Sequence, residues 1–167
     1  APVPVRTAVT SASGTFEMTN PPKEGPWSVL ADAPGFVRSG RAGLDAADFP
    51  SPLELVLENE APITGTILEN ITGDAIPDAT VAVLSDHDRS PVALLWDRLR
   101  PRIAHPEAGG RYVLHEFPPE TVWDLVASSP AHLPSERRGV PSGSDGIDFV
   151  LNRGGACLLY TSPSPRD

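Results

Sequence analysis

A block of residues that occurs twice constrains the fold of this chain more than any other feature. The first copy spans residues 14–31 and the second spans residues 110–127. In both copies an aromatic residue in an extended stretch is followed by a Pro-Pro pair and then by a tryptophan that opens an apolar run. Trp27 and Trp123 lie 96 positions apart, and an offset of that size indicates a whole domain rather than a solenoid repeat of roughly 20–50 residues.

The same offset continues outside the block. Residues 41–44 match residues 137–140, again 96 positions apart, and Leu57 matches Leu151, 94 positions apart. Small insertions that fall in turns are typical of two copies of one fold, because turns tolerate changes in length.

These matches predict a tandem organisation. We expect residues 1–58 to be the C-terminal part of a domain that is truncated at its start, and residues 59–154 to be one complete domain. The reason is that residues 1–13 match neither of the first two strands predicted for the second copy. Residues 3–10 are predicted to be the last strand before the repeated block, and residues 155–167 a non-native or disordered tail.

Composition excludes several classes of protein. The chain is 40% hydrophobic and 21% charged, which is typical of a globular protein rather than a disordered one. Its net charge is −9 and it has no basic stripe, so we expect no nucleic-acid partner. No stretch approaches the 18 or so apolar residues that a membrane-spanning helix needs, so we expect no membrane insertion within this sequence.

The end of the chain has an unusual composition. Residues 157–167 resemble a translated sequencing adapter, and a Pro-rich linker is the alternative. The only cysteine, Cys157, lies in this tail. The rest of the chain therefore has no thiol for disulfides, metal sites or cysteine catalysis.

Short apolar or alternating runs between turn signals predict an all-β sandwich. Residues 90–100 depart from this pattern, because Ser90, Pro91 and Pro101 are typical of the boundaries of a short helix within a long loop. The predicted strands cover residues 15–19, 27–32, 53–57, 63–68, 80–84, 111–115, 123–128 and 147–151.

The order of several motifs resembles the carboxypeptidase regulatory-like domain, a transthyretin-like or prealbumin-like β-sandwich. Residues 61–153 cover the whole pattern, and residues 7–58 cover its second half. The motifs are Gly65-Thr66-Ile67, residues 76–83, residues 110–114, Phe117-Pro118-Pro119 and residues 123–127. The resemblance implies tandem Greek-key-type sandwiches in a larger secreted or cell-envelope bacterial protein, with flanking domains of the same polypeptide as partners.

The chain departs from the family pattern at two positions. Glu120 stands where the family usually has Gly after Pro-Pro, and His132 replaces the aromatic residue that often ends a later turn. The family's domains accompany metallocarboxypeptidases without performing the hydrolysis. The resemblance therefore implies a non-catalytic structural or interaction module.

The sequence also lacks the common catalytic motifs, which agrees with the expectation of a non-catalytic module. The sequence has no His-x-x-Glu zinc pair, no Gly-x-Ser-x-Gly nucleophile elbow and no phosphate-binding loop. We expect no catalytic, cofactor or metal site, and no enzymatic activity.

The best candidates for a contact site lie in the long loop of the second copy. Asp86, His87 and Asp88 form the densest group of ligand-type residues, and alternate residues of an extended segment could share a cation. A solvated turn is the alternative. Trp96 has no counterpart in the first copy and is either an exposed contact or a cap on the core.

The two equivalent tryptophans leave a second function open. Trp27 and Trp123 could form a sugar-stacking platform, as in starch-binding-like modules beside a hydrolase domain, or they could pack in the core. The partners that we expect are thus flanking domains and, as alternatives, a polysaccharide or another envelope protein.

Overall fold

The computed structural model describes residues 6–18, 26–45, 52–85, 92 and 100–154. Below, residues 6–60 are called the N-terminal half and residues 61–154 the sandwich. The strands are β1 (Trp27–Ala31), β2 (Ser39–Leu44), β3 (Ile63–Glu69), β4 (Thr80–Ser85), β5 (Ile103–Ala104), β6 (Arg111–Leu114), β7 (Val122–Ser129), β8 (His132–Pro141) and β9 (Phe149–Leu151), and a short 3₁₀ helix spans Ala108–Gly110.

The strands of the sandwich form two sheets. One sheet has the order β6-β3-β9 and the other has the order β5-β4-β7-β8. Strand β3 is central in the first sheet, antiparallel to β6 and parallel to β9. In the N-terminal half, β1 and β2 pair as an antiparallel hairpin.

The core lies between the two sheets, as strand periodicity requires. Every second residue of β3 is buried, and β7 alternates in the same way, because successive side chains of a strand point to opposite faces. The Phe117 and Trp123 rings pack edge to face with centroids 5.0 Å apart, a preferred geometry for aromatic pairs. One cluster of buried apolar side chains from both sheets therefore holds the sandwich together.

A loop covers the central strand on the β9 side. The Tyr112 hydroxyl donates to the carbonyl oxygen of Ile147 at 2.6 Å, and the Asp148 carboxylate accepts from the backbone N–H and hydroxyl of Thr66 at 2.8 and 2.7 Å. A Cβ on Gly65 would lie 2.0 Å from the Ile147 oxygen. Glycine at position 65 is thus required by the close approach of two backbones.

The hairpin of the N-terminal half has the same register as a hairpin of the sandwich. Trp27 pairs with Leu44 in β1–β2, Trp123 pairs with Val140 in β7–β8, and the register shifts directly after each tryptophan. The remaining pairs of β1–β2 also have partners in β7–β8 at the 96-residue offset.

Backbone hydrogen bonds outside the hairpins correspond in the same way. The offset is 96 for residues up to 37 and 94 for residues 58–60, as in the sequence. Four bonds of the N-terminal half are Ser11 N to Thr15 O (2.8 Å), Gly14 N to Ser11 O (2.9 Å), Val37 N to Glu58 O (2.8 Å) and Glu60 N to Gly35 O (3.0 Å). Their equivalents in the sandwich, in the same order, are Glu107 N to Arg111 O (2.7 Å), Gly110 N to Glu107 O (3.0 Å), Leu133 N to Asn152 O (2.8 Å) and Gly154 N to Ala131 O (2.9 Å).

Two strands predicted in the N-terminal half are wrong. Residues 15–18 and 53–57 belong to no sheet, although their counterparts are β6 and the region around β9. Both of those strands pair with β3, and the offset places no counterpart of β3 within the chain. Among the described residues, neither segment therefore has a neighbouring strand with which to form a ladder. The strand predicted at 3–10 is also wrong for residues 6–10, which are irregular.

The other predicted strands are confirmed with ends shifted by a residue or two, but β2, β5 and β8 were not predicted. Strand β8 reads HLPSERRGVP and is mostly exposed. It lies at the edge of its sheet, and charged side chains protect a sheet edge from pairing with another chain. The helix predicted at 90–100 and the tail at 155–167 lie outside the described residues, apart from residues 92 and 100.

Candidate functional site: a charged junction between the two halves

A buried arginine of the N-terminal half contacts the sandwich. Arg38 is 7% exposed and follows Val37, whose N–H is bonded to Glu58. Its Nη1 donates to the carbonyl oxygen of Arg100 at 2.6 Å, and its Nε lies 3.2 Å from Oε2 of Glu116. A guanidinium is thus placed away from water by contacts with the other half.

The carboxylate that pairs with Arg38 stands on an unusual backbone. Glu116 has φ of 69°, a left-handed conformation that costs roughly 1–2 kcal/mol for a residue with a Cβ. Its backbone N–H donates to Oε2 of Glu60 at 2.6 Å. Such backbone strain persists only where surrounding contacts hold it, and here Arg38 and Glu60 supply those contacts.

A second arginine extends the network toward solvent. Arg100 forms an ion pair with Asp32 of the N-terminal half, and its Nη2 lies 3.7 Å from Oε1 of Glu116. Both Arg100 and Asp32 are about half exposed, and exposed pairs contribute little to stability. Arg38 and Glu116 therefore dominate the junction, because removing one member of a buried pair leaves the other charge uncompensated.

The segment that joins the halves is itself held by hydrogen bonds. Ala61 N donates to the carbonyl oxygen of Phe117 at 2.8 Å. Glu60 contacts Nδ1 of the exposed His115 at 3.0 Å and accepts from the Glu116 N–H. The connection is therefore an ordered segment packed on the end of β6 rather than a free linker.

A separate polar cluster surrounds a buried carboxylate at the end of β3. Glu69 is bonded by Arg153 through Nε at 2.5 Å and Nη2 at 3.3 Å, and by the Thr72 hydroxyl at 2.7 Å. The hydrogen bond from Thr72, and then that from Arg153, hold the pKa of Glu69 below its usual range. The offset places Asn59 at the position equivalent to Arg153, so the described residues of the N-terminal half contain no equivalent of this ion pair.

The contact loop predicted from the sequence stays a prediction. Asp86, His87, Asp88 and Trp96 lie outside the described residues. Within the described ranges, no group of three or more His, Cys, Asp or Glu side chains is arranged to hold a metal ion. Also within those ranges, no helix is long and apolar enough to cross a membrane.

The paired sugar platform is wrong. Trp123 is 5% exposed, its ring meets Phe117 on one side, and the Arg102 guanidinium lies 5.0 Å from its centroid. Its Nε1 donates to the Thr121 hydroxyl at 2.7 Å. This side chain therefore packs in the core, as the alternative interpretation proposed, whereas Trp27 is half-buried.

The junction leaves no pattern in the sequence because its members are far apart in the chain. Arg38 and Arg100 are separated by 62 positions, and no local pattern links them. The one local signal is an arginine, Arg38, directly after the apolar pair Phe36-Val37.

Comparisons with known proteins leave the family open. No family model matches this chain, and no curated protein matches it. Among solved structures, three mutants of the shaft pilin spaA from Lactobacillus rhamnosus GG are similar. Their identities are 13%, 13% and 14%, with TM-scores of 0.39, 0.37 and 0.38, over 92%, 90% and 92% of this chain and 70%, 70% and 69% of theirs. The resemblance to the carboxypeptidase regulatory-like domain therefore stays a prediction.

Proposed function

We propose that this chain is a non-catalytic structural and interaction module of a larger secreted or cell-envelope bacterial protein. The observation that carries the proposal is the junction, in which buried Arg38 of one half is paired with Glu116 of the other. Domains that move freely are joined by exposed linkers with few contacts across them. Here the connection is bonded along its length, as a rigid spacer requires.

The proposal includes two tandem copies of one transthyretin-like sandwich, in residues 1–58 and 59–154. Its support is the shared hairpin register and the equivalent backbone hydrogen bonds. Two copies joined at a fixed angle would hold flanking domains of the same polypeptide at a set distance and direction.

The size of the junction's contribution follows from its burial. Removing one partner of a fully buried ion pair costs about 3–5 kcal/mol. Because the Glu116 side chain is 20% exposed, we expect Arg38→Met to weaken the docking of the two halves by about 2–4 kcal/mol. We therefore expect this substitution to loosen the fixed angle between the two halves.

Electron–electron distance measurements between two spin labels test this directly. Labels at Ser28→Cys and Ile71→Cys, with Cys157→Ser as background, report on the two halves. We expect a narrow distance distribution in the parent and a broad one in Arg38→Met. Arg41→Met is the matched control, since Arg41 is an exposed arginine of the same half, and it should leave the distribution narrow.

Two outcomes would contradict the proposal. An equally broad distribution in the parent and in Arg38→Met would mean that the junction does not fix the angle. Retention of the chain on a polysaccharide array, lost on Trp96→Ala, would instead support the carbohydrate-binding alternative.

A further inference from the structure

The outer face of the four-stranded sheet carries an apolar patch. Every second residue of β7 is buried in the core, so the residues between them point away from it. On that outer face, Ala82 of β4 is the partner of both Ile103 in β5 and Val126 in β7, which makes one apolar row across three strands. The outer patch is this row together with Leu84 and Val122. Of its members, Ile103, Leu84 and Val122 are 47%, 45% and 48% exposed.

Polar groups border the outer patch. An antiparallel sheet with one face on the core is usually polar on its other face. The hydroxyls of Thr80 and Ser128, which are 3.1 Å apart, follow this rule beyond one end of the row. Glu136, the β8 partner of Val126, follows it at the side and pairs with Arg138. A contiguous exposed apolar patch with a polar rim is typical of a docking surface.

The segment that joins β4 to β5 has a matching apolar stripe. Four of its large apolar residues follow the spacing i, i+3, i+4 and i+7, which places side chains on one face of a helix. They are Val92, Leu95, Trp96 and Leu99. Val92, which the structure describes, is helical and half-buried.

We propose that residues 92–99 form an amphipathic helix that docks its apolar stripe on the outer patch. This inference goes beyond the proposed function and does not rest on it. Both ends of the segment begin at the patch, since the chain leaves β4 at Ser85, directly after Leu84, and enters β5 at Ile103. A segment joined to a surface in this way has an effective concentration of about a millimolar, which favours it over a separate protein as the occupant.

The dimensions of the helix and of the outer patch agree. From Val92 to Leu99 a helix rises about 11 Å, and its diameter is about 10 Å. From Val126 to Val122 the patch extends about 13 Å along β7, and its three strands span about 10 Å. The connection is long enough, because residues 86–91 can reach about 20 Å when extended.

NMR on the full chain tests the docking with two readouts. We expect nuclear Overhauser effects between the Trp96 indole ring and methyl groups of the outer patch, and slow amide hydrogen exchange at residues 92–99. Leu84→Glu should speed that exchange about tenfold or more, because a charge in the contact opposes apolar burial. Ile71→Glu is the matched control, since Ile71 is 83% exposed and lies in a turn outside the patch. It should leave the exchange at residues 92–99 unchanged.

Several results would overturn the inference. Exchange at residues 92–99 as fast as in an unstructured peptide would mean that no docked helix forms. Contacts of Trp96 with the core or with the N-terminal half would place the segment elsewhere. Protection that grows with protein concentration would make a second copy of the chain the occupant. Should Leu84→Glu fail to fold, Leu95→Glu should give the same acceleration, and unchanged exchange in that variant would equally contradict docking.

Discussion

Replacing Tyr112 with phenylalanine tests how the core is closed on the side of the Ile147 loop. The change removes one hydroxyl and keeps a ring that is 1% exposed. That hydroxyl donates to the Ile147 carbonyl oxygen at 2.6 Å. Losing the donor of a partly buried hydrogen bond costs about 1–3 kcal/mol. With about 2 kcal/mol as the central value, the Tm of a domain of this size falls by about 10 °C.

The same substitution should change how the free energy of unfolding depends on pH. Burial, and then the charge of Asp148, raise the pKa of Tyr112 above its usual value of 10.0. Above that value the unfolded chain loses the phenol proton while the folded chain keeps it. The stability from this group is therefore fully present below pH 10, and it falls by about 1.4 kcal/mol per pH unit as the pH rises toward the folded pKa.

Urea unfolding at pH 7 to 11, followed by tryptophan fluorescence, measures both effects. The difference between the parent and Tyr112→Phe should be about 2 kcal/mol at pH 7 and should shrink above pH 10. Ile71→Val is the control, since Ile71 is 83% exposed and should leave both quantities unchanged. Equal stability at pH 7, or parallel pH curves for the parent and Tyr112→Phe, would refute this account of the hydroxyl.

Three further substitutions have defined outcomes. Gly65→Ala should prevent folding of the sandwich at 25 °C by circular dichroism, because its Cβ would lie 2.0 Å from the Ile147 oxygen; a native spectrum would contradict this. Glu120→Gly should raise the free energy of unfolding by about 0.5–1 kcal/mol, since Glu120 has φ of 59° and glycine adopts that conformation without strain; a decrease would be the opposing result. Glu69→Gln should destabilise the chain at pH 7 and progressively less below pH 4.5, because the hydrogen bond from Thr72 leads the causes that lower the pKa of Glu69; a pH-independent loss would exclude that explanation.

The local alternation of apolar and polar residues was sufficient to predict the strands that are buried on one face and paired with a neighbour on both sides. The predictions for residues 63–68 and 123–128 fell within β3 and β7, because alternation of apolar and polar residues reflects burial directly. Position 120 was also informative, since the resemblance implied a glycine there and Glu120 has a left-handed backbone with φ of 59°.

The rest of the fold and the charged junction depend on contacts between distant segments, which a local sequence pattern does not show. Residues 53–57 have strand-like alternation, but in the part of the chain that the structure describes they pair with no neighbouring strand. Strand β8 has the opposite combination, with polar residues in a strand that pairs with β7. The junction of Arg38 and Glu116 arises only when two distant segments meet, and it could be found only in three dimensions.

The two halves share one backbone hydrogen-bond pattern. Scalar couplings across hydrogen bonds, measured by NMR, detect each N–H to O=C pair directly. We expect couplings from Val37 to Glu58 and from Glu60 to Gly35, as well as their equivalents from Leu133 to Asn152 and from Gly154 to Ala131. Couplings in the second set with none in the first would contradict a shared pattern.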